Sequence, residues 1–267
     1  MNEMNLQQRH PLSDTMRARV LEELERIERE RNVKVLYACE SGSRAWGFAS
    51  PDSDYDVRFV YVEKPDWFVQ VDTPRDVIER PLDDELDVSG WELRKTLGLL
   101  RKSNPTLLEW LDSPLVYRQE DDATARLREL AERFYSPPAA RHHYLSMARK
   151  NFRGYLQDET VRFKKYFYVL RPLLAVRWID QGRGRPPMTF ADLLQTVDDR
   201  ALLAEVDELL ALKRSADESA YGPRRPALHA FIEAQLDGPV PSLPRTHTDS
   251  GCLDDFLRDC VWSHASR

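Results

Sequence analysis

The chain has 267 residues, with 45 acidic side chains (Asp, Glu) against 39 basic ones (Lys, Arg) and a formal net charge of −6. That length allows one large or two ordinary domains, and 42% hydrophobic with 31% charged residues supports a sizeable core and excludes disorder throughout. No apolar run approaches the roughly 20 residues that cross a bilayer, and the net acidity argues against a histone-like nucleic-acid coat while leaving room for a local basic groove. The polar start, residues 1–14, lacks the apolar stretch of a secretory signal. Cys39, Cys252 and Cys260 form no C-x-x-C pair and no zinc set, so a reduced, cytoplasmic compartment without a membrane partner is expected.

In chain order, Met16, Val20, Leu24 and Ile27 repeat at helical spacing among Arg and Glu and predict a helix over 14–31, capped by Ser13 or Asp14. Residues 33–39 (Val-Lys-Val-Leu-Tyr-Ala-Cys) read as a buried strand, and after a turn-rich stretch residues 55–62 read as a second. A loop carrying Pro65, Pro74 and Pro81 precedes a short third strand around 86–88 that Gly90 ends. Helices follow over 91–102 and from Asn104-Pro105 to Pro114. Composition shifts at Ser136-Pro137-Pro138. Beyond it the patterning is helical, at 139–156, 159–180, 190–197, 200–213 and 227–236, then a Pro/Thr/Ser-rich loop and a short terminal helix. The expected layout is α+β, with a strand-bearing domain over 1–136 and an all-helical domain over 137–267.

The chemistry concentrates between the first two strands. Alternation along a strand puts Asp54 and Asp56 on one face, and two carboxylates a few ångströms apart repel unless a cation relieves them. Hard oxygen ligands with open positions suit Mg²⁺ bridged to substrate phosphates, with Mn²⁺ as the alternative ion. Gly42-Ser43 opens a turn after the first strand, where free N–H groups and a hydroxyl can cradle phosphate. Arg44 beside it either adds positive charge or pairs within the loop. A two-metal site wants a third carboxylate. Asp87, between Leu86 and Val88 on a strand, suits it better than Asp83, Asp84 or Glu85 in the approach to that strand.

The bland alternative is that Ser-x-Asp and Asp-x-Asp are common in ordinary loops. A calcium loop is a sharper rival, since Asp52, Asp54, Asp56 and Glu63 occupy positions 1, 3, 5 and 12, but it requires Gly at position 6, where Val57 stands. The combination of strand, Gly-Ser, Asp-x-Asp on a second strand and a lone strand Asp is instead the layout of metal-dependent nucleotidyl transfer.

On these residues the chain resembles the DNA polymerase beta-like nucleotidyltransferase superfamily and, within it, the RNA repair pathway DNA polymerase beta family. The matching blocks are GSRAWGFASPDSDYDVRFVYV (42–62), DVSGWELRKTLGLLRKSNPTLLEWLDSP (87–114) and KKYFYVLRPLLAVRWI (164–179). The resemblance implies a nucleotidyltransferase fold, a small mixed sheet with helices, followed by a helical domain. It implies that Gly42 and Ser43 hold the triphosphate of an NTP such as ATP. Asp54, Asp56 and Asp87 would bind two Mg²⁺ ions, Asp87 would orient and help deprotonate an attacking hydroxyl, and pyrophosphate would leave.

In the helical half, Lys164, Tyr168 and Arg171 share a helix face with Lys165 beside it. Such a face can hold phosphates and stack a base, or it can be an ordinary solvated face with Leu170, Leu174 and Trp178 packing inward. Beside the family resemblance the first reading is preferred. His142-His143 point about 100° apart on a helix and read as packing or surface residues. The cations Arg177, Arg183 and Arg185 are a weak indication of contact with an RNA backbone. Three functions compete: NMP transfer to a hydroxyl at an RNA end, transfer to a small molecule or protein side chain, and a nucleotide- or RNA-binding module with a decayed site. Retention of all three carboxylates disfavours the last.

Overall fold

A computed structural model describes residues 12–50, 53–81, 85–215, 220–244 and 249–266. Asp52, Asp83 and Asp84 lie outside them, as does the polar start over 1–11. The chain divides into two units, one of Pro11–Ala45, Asp54–Tyr135 and Thr246–Arg267, the other of Trp46–Ser53 and Ser136–Arg245.

The first unit opens on α1 (Asp14–Arg31), where the Ser13 hydroxyl accepts from Met16 N at 3.1 Å and satisfies one of the N–H groups that a helix start leaves unpaired. Then come β1 (Lys34–Glu40), α2 (Gly42–Ala45), β2 (Tyr55–Val62), α3 (Pro65–Phe68), β3 (Val77–Pro81), β4 (Leu86–Glu92), α4 (Leu93–Arg101), α5 (Pro105–Leu111), β5 (Val116–Gln119) and α6 (Asp121–Phe134). The strands form a five-stranded mixed sheet in the order β3-β4-β2-β1-β5. Here β2 and β4 run parallel while the β1–β2, β1–β5 and β3–β4 pairs are antiparallel. Val20, Leu24 and Ile27 of α1 are fully buried with Val35, Ala38, Val57, Phe59, Leu86 and Val88 of the sheet. At about 1.5–3 kcal/mol per large aliphatic side chain removed from water, this face anchors α1 to the sheet.

The first unit departs from the sequence reading in several places. The proline-bearing loop contains β3, an edge strand whose Arg80 pairs with Glu23 and Glu30 of α1; its Pro81 is tolerated because an edge strand lacks a partner on one side. β4 runs through Gly90 to Glu92 rather than ending at the glycine. A Cβ at position 90 would lie 2.2 Å from the Phe59 ring, so that glycine makes room for an aromatic on the neighbouring strand. Finally, β5 and α6 fill the stretch after Pro114; β5 is only four residues long, whereas α6 carries a helical stripe of Thr124, Leu127, Leu130, Ala131 and Phe134 that the sequence reading passes over.

Glu92 closes β4 and caps α4, its Oε2 accepting from Arg94 N at 2.6 Å. It is fully buried, and burial pushes its carboxyl up to about 7, opposed by the Arg94 and Lys95 backbone N–H groups. Between the unfolded value near 4.5 and about 7 the native state holds a proton that the unfolded chain has released. Stability contributed by this group is therefore present below pH 4.5 and lost as pH rises to 7. Glu92→Gln keeps the capping oxygen and removes the titration. Urea denaturation at pH 8 is expected to show a variant more stable than the parent by up to ~3 kcal/mol, with the difference shrinking toward pH 5.

The second unit consists of α7 (Pro137–Tyr155), β6 (Thr160–Arg162), α8 (Lys164–Asp180), α9 (Phe190–Leu194), α10 (Arg200–Ser215), β7 (Tyr221–Pro223) and α11 (Pro226–Leu236). The helix expected over 159–180 starts later than its pattern suggests, because 160–162 pair with β7. Residues from Tyr166 to Val176 of α8 are buried apart from Tyr168, as befits a helix at the centre of a bundle. Phe48 belongs to this unit, stacked on Phe167 at 4.9 Å and edge-on to Phe190 at 5.4 Å. The final helix α12 (Gly251–Ala265) returns to the sheet-bearing unit. There Asp259 accepts from Arg126 at 2.6 Å. Its 15 residues make it longer than the short terminal helix expected. Among the described residues no helix is long and apolar enough to cross a membrane.

Candidate active site

The parallel pairing of β2 with β4 sets Asp56 opposite Asp87 in register. Both carboxylates therefore lie on adjacent strands at one end of the sheet, with side-chain exposures of 32% and 50%. Arg58, two residues along β2 and so on the same face as Asp56, spans the pair. Its Nη2 donates to Asp56 Oδ1 at 2.9 Å and to Asp87 Oδ2 at 2.7 Å, while Nη1 donates to the carbonyls of Val57 and Asp87 at 3.0 and 3.1 Å.

A second contact holds Asp56 from β1. Glu40 is fully buried; its Oε1 accepts from Asp56 N at 3.0 Å and its Oε2 from Tyr117 Oη at 2.5 Å. Burial pushes the Glu40 carboxyl up to about 7, opposed by the bonds from Tyr117 and from Asp56 N and reinforced by the Asp56 charge. Ser41 N donates to Asp56 O at 2.8 Å, which ties the start of the turn to the same strand.

Gly42 completes the frame. Its φ is +59°, a left-handed value that L side chains adopt at a cost. A Cβ there would stand 1.9 Å from Asp56 Oδ2. The turn thus approaches the Asp56 carboxylate to a distance that glycine alone permits, and Ser43 follows in α2. Arg44 folds back along the same unit, with its guanidinium 3.7 Å from the Tyr55 ring centroid and its Nε donating to Asp54 O at 3.3 Å.

The model of the RNA repair pathway DNA polymerase beta family matches residues 16–259. The chain belongs to that family. It is also 50% identical over 223 residues to the uncharacterized protein YcgL of Bacillus subtilis (strain 168), a match spanning 83% of this chain and 86% of that one. Among solved structures, a nucleotidyltransferase-like protein from Exiguobacterium sibiricum 255-15 aligns over 92% of this chain and 77% of that chain, at 14% identity and a TM-score of 0.32.

For a member of this polymerase beta family, the residues singled out from the sequence fall into two groups. Gly42, Ser43, Arg44, Asp54, Asp56 and Asp87 belong to the sheet-bearing unit, where Asp56 adjoins Gly42 on one side and stands opposite Asp87 on the other strand. Asp54 is exposed and sits just before β2. Lys164, Lys165, Tyr168 and Arg171 belong to the helical unit. There Lys165 Nζ lies 3.9 Å from the Tyr155 ring centroid and 5.1 Å from that of Tyr168. Arg171 is 3% exposed, its Nε and Nη2 donate to Met188 O at 3.3 and 2.9 Å, and its guanidinium lies 4.6 Å from the Trp46 ring centroid. Replacing Arg171 by Met removes a buried charge-assisted bond and leaves the Met188 carbonyl short of a donor. Chemical denaturation is expected to read a loss of ~2 kcal/mol.

Sequence reasoning passes over Glu40 and Arg58. Glu40 follows a buried strand and carries no motif signal. Arg58 carries one: it stands two residues after Asp56 and shares its face. The donor chemistry of Asp56 and Asp87 fits a magnesium ion that keeps water and substrate oxygens, which needs one or two carboxylates rather than an all-protein cage. Among the described residues no group of three or more His, Cys, Asp or Glu is gathered for a metal.

Proposed function

We propose that this protein transfers a nucleoside monophosphate from an NTP to a hydroxyl group, with release of pyrophosphate, and that the acceptor is an RNA end. The observation that carries the reading is the in-register pair Asp56 and Asp87 beside the close approach of Gly42, in a chain whose family is named for RNA repair. Asp56 and Asp87 would hold Mg²⁺ or Mn²⁺, which when bound neutralises charge on the triphosphate and makes the hydroxyl more acidic, and Asp54, which is not gathered with them, is the further carboxylate of the sequence layout. Gly42, whose missing side chain lets the turn lie against Asp56, and Ser43, through its hydroxyl, are assigned the triphosphate.

The acceptor oxygen attacks the α-phosphorus, the bond from that phosphorus to the oxygen bridging the β-phosphate breaks, and pyrophosphate departs with the bonding pair. Asp87 orients the hydroxyl and takes its proton, which its half-exposed carboxylate passes to water. Glu40 fixes the main chain of Asp56 throughout.

The test is transfer from labelled NTPs to a panel of RNA, DNA, aminoglycosides and protein acceptors, with Mg²⁺ and Mn²⁺ compared. Label on RNA ends is the expected result. Label confined to small molecules or to protein would sink the RNA-end assignment. Absence of pyrophosphate release with every NTP and acceptor would remove the basis for an enzyme.

A further inference from the structure

Two carboxylates in register on neighbouring strands repel, and a bound cation is one way to relieve that. Arg58 is another, already built into β2. Its single positive charge is shared between Asp56 Oδ1 and Asp87 Oδ2 through one nitrogen, while the other nitrogen is anchored to two backbone carbonyls. Its side chain is 18% exposed, so water screens the guanidinium weakly. A guanidinium keeps its charge at any working pH. A divalent cation entering between the carboxylates therefore meets a fixed positive charge that already engages one oxygen of each.

We propose that Arg58 is the resident counter-ion of the Asp56–Asp87 pair. It offsets half the negative charge of the pair while no cation is bound and opposes the entry of a free divalent cation, so that the cation enters together with the anionic phosphates of the nucleotide. The triphosphate brings enough negative charge to offset both the cation and Arg58, whereas free Mg²⁺ brings none. This inference rests on the reading of Asp56 and Asp87 as cation ligands, and it adds the order in which the site fills.

Two measurements test it. The first needs no metal: thermal denaturation in EDTA of the parent, Arg58→Met, Asp87→Asn and the double variant. Arg58→Met alone is expected to lower Tm by several degrees, and adding Asp87→Asn to recover most of the loss, because the counter-ion is required only while both carboxylates are charged. A loss that persists in the double variant overturns the counter-ion role. Arg58→Gln serves in the same cycle if Arg58→Met does not fold.

The second measurement is Mn²⁺ binding by electron paramagnetic resonance. Without nucleotide, Arg58→Met is expected to bind Mn²⁺ at least tenfold tighter than the parent, Arg58→Lys to bind like the parent, and saturating NTP to narrow the difference. Equal or weaker binding by Arg58→Met overturns the opposition to free cation. Absence of binding by both proteins overturns it too and, if pyrophosphate release is also unchanged in Asp56→Asn, overturns the cation reading of the site. The EDTA cycle still decides the counter-ion role by itself.

Discussion

Asp56→Asn is expected to lower Mg²⁺-dependent pyrophosphate release by at least ~100-fold, the scale lost when a group that stabilises developing charge is removed, while the protein stays folded. The two halves of that expectation come from the same geometry. Asp56 is the member of the pair held from three directions, by Glu40 through its N–H, by Arg58 through Oδ1 and by the Gly42 turn against Oδ2. Asparagine keeps the shape and the backbone bonds but removes the charge. Arg58 retains Asp87, so denaturation should register a change of no more than ~1 kcal/mol, the usual worth of a partly exposed ion pair. Asp87→Asn should produce a drop of similar size, read as kcat rather than KM if Asp87 acts on the acceptor hydroxyl. A wild-type rate in Asp56→Asn would show that this pair is not the centre of the reaction.

Asp54 and Asp56 stand out in the sequence because their signal is local, a glycine turn and an alternating pair written within a few residues, whereas Asp87 meets Asp56 through the pairing of β2 with β4. Helix 14–31 and strand 55–62 are legible for the same reason, and α1 and β2 occupy those spans. What escapes depends on contacts between distant segments. Glu40 becomes meaningful once β1 pairs with β2 and β5, which brings Tyr117 and Asp56 N to its two oxygens. β3 has an edge strand's mixed composition, whose pairing with β4 no periodicity announces. Gly90 reads as a strand end until Phe59 is seen to lie across it. Arg58 is the instructive case. Neighbouring carboxylates do call for a cation, and one stands two residues along the same strand. Arg171, assigned to phosphate from a basic and aromatic run, donates to Met188 O and lies against Trp46 within the helical unit, contacts that no local pattern announces.

Gly42→Ala is expected to impair both folding and transfer, for reasons that can be separated. The left-handed φ of +59° costs alanine about 1–2 kcal/mol relative to the β or right-handed regions, a loss that denaturation should read directly. The added methyl would also sit 1.9 Å from Asp56 Oδ2, so the carboxylate must turn away. Turning it strains the bond from Arg58 to Oδ1 at 2.9 Å and shifts the oxygen that the proposed chemistry requires. Activity should therefore fall by much more than the stability loss explains, with at least ~10-fold lower kcat at temperatures where the variant is fully folded. Ser43→Ala, one residue on, has neither the strained φ nor the clash. It should keep parental stability and raise KM for the nucleotide if its hydroxyl binds phosphate. The contrast decides between a turn that merely folds and one that shapes the site: equal kcat in folded Gly42→Ala and parent would leave the close approach of this turn to Asp56 without a catalytic purpose.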